Sequence, residues 1–121
     1  MEPAMKTGTD LINDAKARIG EVSARDALAL HARGEVIFLD VRDQQEVNLG
    51  RIPGAMHISR GTMETKIEAA VPRDAEVVVY CASGNRSALA ADTLRQMGYR
   101  KISSLAGGFR GWAEAGGDID G

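Results

Sequence analysis

Apolar residues fall into short continuous runs and longer runs with helical spacing, and the two kinds alternate along the chain. Val36 to Val41 (VIFLDV) and Glu76 to Cys81 (EVVVYC) are continuous. That is how strands buried on both faces read. Shorter strands are predicted at Ala55–Ile58, after the Pro53-Gly54 turn, and at Lys101–Leu105 (KISSL). Helical spacing places Leu11, Ile12, Ala15 and Ile19 on one face of Asp10–Ile19. Ser23 as N-cap, apolar Ala24, Ala27, Leu28 and Leu30, and Gly34 as stop predict a second helix. Further helices are predicted at Gln44–Gly50, at Met63–Val71 before Pro72, and at Arg86–Gly98, with Leu89, Ala90, Leu94 and Met97 inward. A last one runs from Gly108 to Gly116 around Trp112, read as a core residue.

Strands alternating with helices predict an α/β fold, a mostly parallel sheet with helices on both faces. Ligands of such sheets bind beyond the carboxyl ends of the strands. Cys81 sits at that end of the strongest strand.

A length of 121 residues, 44% of them hydrophobic, suits one domain with a real core. Residues 1–19 read as a tail and short helix, the first nine as a flexible lead. Residues 20–117 read as the domain and 118–121 as a loose tail. The net charge of −2, from 15 basic and 17 acidic side chains, gives no reason to propose nucleic acid or a membrane surface as partner. No apolar run approaches membrane-spanning length, and the N-terminus lacks an apolar h-region, so a cytoplasmic protein is expected. One cysteine excludes an internal disulfide and a Cys-only zinc site. His31 and His57 read as structural or surface histidines, and neither metal nor organic cofactor is expected.

The chemistry concentrates in Cys81, Ala82, Ser83, Gly84, Asn85, Arg86 and Ser87 (CASGNRS). These residues are small, and Gly84 or Asn85 supplies the positive φ that a curled loop requires. A helix starting near Arg86 or Ser87 turns its unpaired N–H groups back into the loop. Such a ring of amides holds an anion, and Arg86 adds a positive charge. Free cysteine titrates near ~8.5, and helix termini or cationic neighbours lower this to roughly 3.5–7.5. A lone cysteine at a strand end is more often a small buried hydrophobe. The glycine three residues on and the arginine five on, between strand and amphipathic helix, favour an anion-binding loop.

Three segments carry a resemblance: FLDVRDQQEVNLGRIPGAMHI, VVVYCASGNRSALAA and LRQMGYRKISSLAGGFRGWAEAG. In this order they resemble a single-domain rhodanese, a sulfurtransferase, over Glu21 to Gly116. The resemblance implies a five-stranded α/β fold and a catalytic Cys81 that carries sulfur as a persulfide. Residues 82–87 then bind substrate, a small sulfur donor such as thiosulfate and a thiol or cyanide acceptor. Asp40, Arg42 and Glu46 are assigned to support: Asp40 bonding loop amides, Arg42 and Glu46 forming an ion pair. Gly107 and Gly108 are expected to turn tightly beside the site. Arg51 replaces the family's usual His, and Arg60 is read as a solvated surface residue. The oligomeric state is left as monomer or homodimer.

Other classes share these parts. Cysteine phosphatases of the Cdc25 type and some arsenate reductases also use a Cys-to-Arg loop, one residue longer than the four residues between Cys81 and Arg86. Non-catalytic rhodanese-like modules bind partners, but they often lack the cysteine that this chain keeps.

Overall fold

The computed structural model describes residues 5–121. Five parallel strands form one sheet: β1 (Gly20–Val22), β2 (Ile37–Asp40), β3 (Met56–His57), β4 (Glu76–Tyr80) and β5 (Lys101–Leu105), ordered β1-β5-β4-β2-β3. Six α-helices accompany them: α1 (Gly8–Arg18), α2 (Ala24–Arg33), α3 (Gln44–Asn48), α4 (Met63–Ala70), α5 (Asn85–Gln96) and α6 (Gly108–Glu114). A 3-10 turn, Arg60–Thr62, leads into α4. Among the described residues no helix is long and apolar enough to cross a membrane.

Both central strands are buried on both faces, as their unbroken apolar runs require. Side chains along β4 alternate between two cores. Val77, Val79 and Cys81 join Leu39, Ile67 and Leu94 on the face covered by α4 and α5. Val78 and Tyr80 join Phe38, Leu105 and Trp112 on the face covered by α2 and α6. This two-residue period decides where the thiol goes: Cys81 points to the same face as α5, the helix that follows it in the chain.

Helix ends follow their sequence signals. The Ser23 hydroxyl accepts from the Asp26 N–H at the start of α2, and Gly34, at φ 75°, ends it. Thr7 and Asp10 cap α1 reciprocally.

Expectation and structure differ at both ends of the chain. Of the lead assigned to residues 1–9, residues 1–4 lie outside the described residues, and helix has begun by Gly8. The tail is docked rather than loose. Asp120 and Arg51 exchange backbone hydrogen bonds at 2.9 Å, and the Trp112 indole N–H donates to the Asp118 carbonyl at 2.7 Å. Of the five strands that the resemblance implies, β1 was the one not placed along the sequence; its three residues pair with Ser103–Leu105, and α1 packs on α5 beside it. Leu89, expected inward, is only partly buried.

Trp112 is core, as read from the sequence, and His31 packs edge-on against it and Phe38 while donating to the Pro53 carbonyl. His57 donates to the Arg42 carbonyl. Arg60 pairs with Glu64 and reaches the Thr93 hydroxyl. Arg51 lines a cleft of about 410 Å³ with Gln44, Val47, Asn48, Asp120 and Gly121, away from the Cys81 loop. Among the described residues no three His, Cys, Asp or Glu side chains are grouped to hold a metal ion.

Candidate active site

Beyond Tyr80 the chain leaves the sheet and curls. Cys81 to Ser83 lead to Gly84, which takes φ 104° as the N-cap of α5. The N–H groups of Gly84 and Ser87 donate to Cys81 Sγ at 3.1 and 3.3 Å. The Ser87 hydroxyl lies 3.4 Å from the same sulfur. Two further N–H groups of the first turn, those of Asn85 and Arg86, have no backbone acceptor among the described residues. The loop is therefore a set of donors around one sulfur, some engaged and some unengaged.

Cys81 is 1% exposed and belongs to an apolar cluster, which by itself fits an inert packing residue. Its polar contacts do not. Burial pushes the thiol up. The Ser87 hydroxyl, then the N–H groups of Ser87, Gly84 and Ser83, draw it down further, and it ends below its ordinary value. Cys81 is a free cysteine, and these contacts favour its deprotonated form against the opposing effect of burial.

Helix α6 fixes the loop from its other side. Phe109 N–H donates to the Cys81 carbonyl at 2.8 Å and Arg110 N–H to the Ala82 carbonyl at 3.1 Å. These bonds set the first peptide planes of the loop. They require backbone-to-backbone approach, and Gly107 and Gly108 allow it at φ 76° and 59°, the turn expected from the sequence. The capping by Phe109 and Arg110 was not legible in advance, because it uses main-chain atoms that no residue type announces.

The supporting residues pair differently from the expectation. Arg42 does not pair with Glu46. Its guanidinium donates to both Asp40 oxygens, at 2.7 Å at the closest, and to the Gly50 carbonyl at 2.8 Å. It also lies 4.5 Å from the centre of the Phe109 ring. Asp40 does bond one loop amide, the N–H of Arg42 itself. Asp43 is the N-cap of α3, so Arg42 stands outside the helix, and at Glu46 its guanidinium reaches the main-chain carbonyl, at 3.4 Å, rather than the carboxylate.

Glu46 instead takes Arg86 in a bidentate pair, both bonds 2.8 Å, and also accepts from the Asp43 N–H. Arg86, expected to grip an anion directly, thus faces the site already paired. The Arg86 bonds hold the Glu46 carboxyl at about 2 instead of its ordinary 4.5, against the opposing effect of burial. A depressed carboxylate pKa contributes stability above the unfolded value and loses it as pH falls through the folded one. Wild type is therefore expected to lose melting temperature more steeply than Glu46→Gln between pH 4.5 and about 2. Parallel curves for the two proteins in that window would remove the pair from the account of stability.

Of the other candidates, Ser83 is exposed, Ala82 is partly buried, and the Asn85 side chain accepts from Lys16 of α1 at 3.2 Å. The N-terminal helix thus reaches the loop. Ser104 of β5, fully buried, was missed; its hydroxyl is 2.8 Å from that of Ser87.

Comparison with known proteins agrees with this architecture. Residues 23–115 match the family model of the rhodanese-like domain. The chain is 33% identical over 91 residues to the thiosulfate sulfurtransferase GlpE of Tolumonas auensis, covering 75% of this chain and 85% of that one. Among solved structures, a Rhodopseudomonas palustris protein of unknown function, described as a possible tyrosine phosphatase, superposes with a TM-score of 0.89 at 35% identity, over 99% of this chain and 98% of the other. The homodimeric polysulfide-sulfur transferase of Wolinella succinogenes superposes at 0.77 with 32% identity, over 90% and 83%.

Proposed function

Because the chain belongs to the rhodanese-like domain family, whose model spans residues 23–115, we propose that it is a sulfurtransferase carrying sulfane sulfur on Cys81. The observation that supports this most is the pair of main-chain donors converging on one sulfur, Gly84 N–H and Ser87 N–H, with the Ser87 hydroxyl in contact with it at 3.4 Å. A packing cysteine has no use for them, and a thiolate or persulfide anion does.

The reaction runs in two halves. The Cys81 thiolate attacks the outer sulfur of thiosulfate. A Cys81–sulfur bond forms, the sulfur–sulfur bond of the donor breaks, and its electron pair leaves on sulfite. The persulfide left on Cys81 ends in an anionic sulfur. The Asn85 and Arg86 N–H groups, without backbone acceptors, are the donors available to it. Cyanide or a thiolate then attacks the terminal sulfur. The electrons of the persulfide bond return to Cys81, and the thiolate is restored.

Sulfite is a stable leaving anion, so the loop needs no acid. Arg86 contributes through its pair with Glu46, which anchors the first turn of α5 to α3. A donor grip by Arg86 would require it to leave two 2.8 Å bonds, so the main-chain donors carry the anion.

Incubation with thiosulfate is expected to add one sulfur to the intact mass, removable by cyanide. The relative described as a possible tyrosine phosphatase sets the competing outcome: hydrolysis of p-nitrophenyl phosphate with no sulfur uptake. A loop one residue shorter than the phosphatase kind disfavours a tetrahedral phosphate. Phosphatase turnover without a mass increase would replace the sulfurtransferase reading.

A further inference from the structure

Ser104 is a polar residue in an apolar place. It is fully buried in β5, in register with Val79, which lies on the same face as Cys81. Burying a hydroxyl there costs free energy unless its proton and lone pairs are used. Among the described residues its one side-chain partner is the Ser87 hydroxyl, at 2.8 Å, and Ser87 in turn reaches Cys81 Sγ at 3.4 Å. Sulfur and two oxygens form a three-atom chain with two contacts.

Counting protons shows what the chain favours. With Cys81 as a thiol, three protons, one each on sulfur, Ser87 and Ser104, share two contacts, and one proton is left without an acceptor. The sulfur's own proton has one acceptor among the described residues, the Ser87 oxygen, since at its other two contacts, with the Gly84 and Ser87 N–H groups, the sulfur accepts. With Cys81 as a thiolate, two protons fill two contacts. Ser87 donates to sulfur and Ser104 donates to Ser87. Orphaned buried donors are rarer than acceptors with an unused lone pair, so the pair of serines favours the anion and offsets part of what burial costs it.

We propose that Ser104 is a positioning residue for the Cys81 thiolate, acting through Ser87. Its proton occupies the Ser87 oxygen and so commits the Ser87 proton to sulfur. Donation from Ser104 also polarises the Ser87 hydroxyl and strengthens that bond. The role extends the reading of Cys81 as a sulfur carrier and rests on it. It concerns the thiolate itself, so it is measured without sulfur transfer.

The test is the pH profile of Cys81 alkylation by iodoacetamide in four proteins: wild type, Ser104→Ala, Ser87→Ala and the double variant. The charged groups at the loop, Arg86 with its partner Glu46 and Lys16 of α1 on Asn85, are unchanged in all four. Ser104→Ala is expected to raise the midpoint by about half a pH unit, roughly a threefold slower reaction below it. Ser87→Ala is expected to raise it further, and adding Ser104→Ala to Ser87→Ala to change nothing more. A folded Ser104→Ala protein with the wild-type midpoint overturns the proposal, since a merely structural hydroxyl would move the melting temperature alone. An equal shift from Ser104→Ala in the Ser87→Ala background overturns the route through Ser87. Failure to take up thiosulfate sulfur with these shifts intact would count against sulfur transfer and leave Ser104 in place.

Discussion

Replacing Cys81 by serine is expected to abolish thiocyanate formation from thiosulfate and cyanide while the domain stays folded. Cys81 is the chain's one cysteine, so no other side chain can carry a persulfide. The loss should be on the order of 10³-fold or more, as when a covalent nucleophile is removed. A serine oxygen can still accept from Gly84 and Ser87 N–H, which approach the sulfur at 3.1 and 3.3 Å. The cost to stability should therefore stay near about 1 kcal/mol, a shift of a few degrees in melting temperature. Thiocyanate formed by the variant at the wild-type rate would end the persulfide mechanism. A variant that does not fold would return Cys81 to the role of packing residue, which its 1% exposure also fits.

The contrast between those readings shows where the sequence is informative. Strands β2 and β4 were legible because burial on both faces leaves an unbroken apolar run, and their alternation carries Cys81 to the α5 face. The loop was legible because small residues and Gly84 have few other uses between a buried strand and a helix. Strand β1 was not, since three residues, two of them exposed, show no period. The pairing of Arg42, Arg86, Asp40 and Glu46 was not either. Each arginine had two acids in reach by composition, and the start of α3 at Gln44 decided between them. The docked tail and the α6 bonds to the loop use backbone groups, which leave no mark on residue type. Ser104 looks like an ordinary strand serine until its neighbour across the sheet surface is known.

Those main-chain bonds carry the largest structural effect expected of any single methyl group near the site. Gly108→Ala should disorganise the loop from outside it. A Cβ at Gly108 would stand 2.5 Å from the Cys81 carbonyl oxygen, 2.6 Å from the Ala82 carbonyl carbon and 2.7 Å from its oxygen. All three are backbone atoms, so no side chain can swing aside. The residue also sits at φ 59°, where a non-glycine residue is strained. Relief requires α6 and the loop to separate. That breaks the 2.8 Å bond from Phe109 N–H to Cys81 and the 3.1 Å bond from Arg110 N–H to Ala82. Overpacking and backbone strain together come to roughly 2–5 kcal/mol, a large share of the stability of a small domain. Once the Cys81 and Ala82 peptides are no longer held, the Gly84 and Ser87 donors lose their aim at sulfur. Sulfur loading should then fall at least tenfold even at temperatures where the variant is folded. Gly61→Ala is the control: nothing lies within 4 Å of its Cβ position, and its backbone is not in the left-handed region. The measurements are denaturation midpoints and thiosulfate-dependent mass increase for both variants. A Gly108→Ala protein as stable as Gly61→Ala, and loading sulfur as fully, would show that α6 does not hold the loop in place.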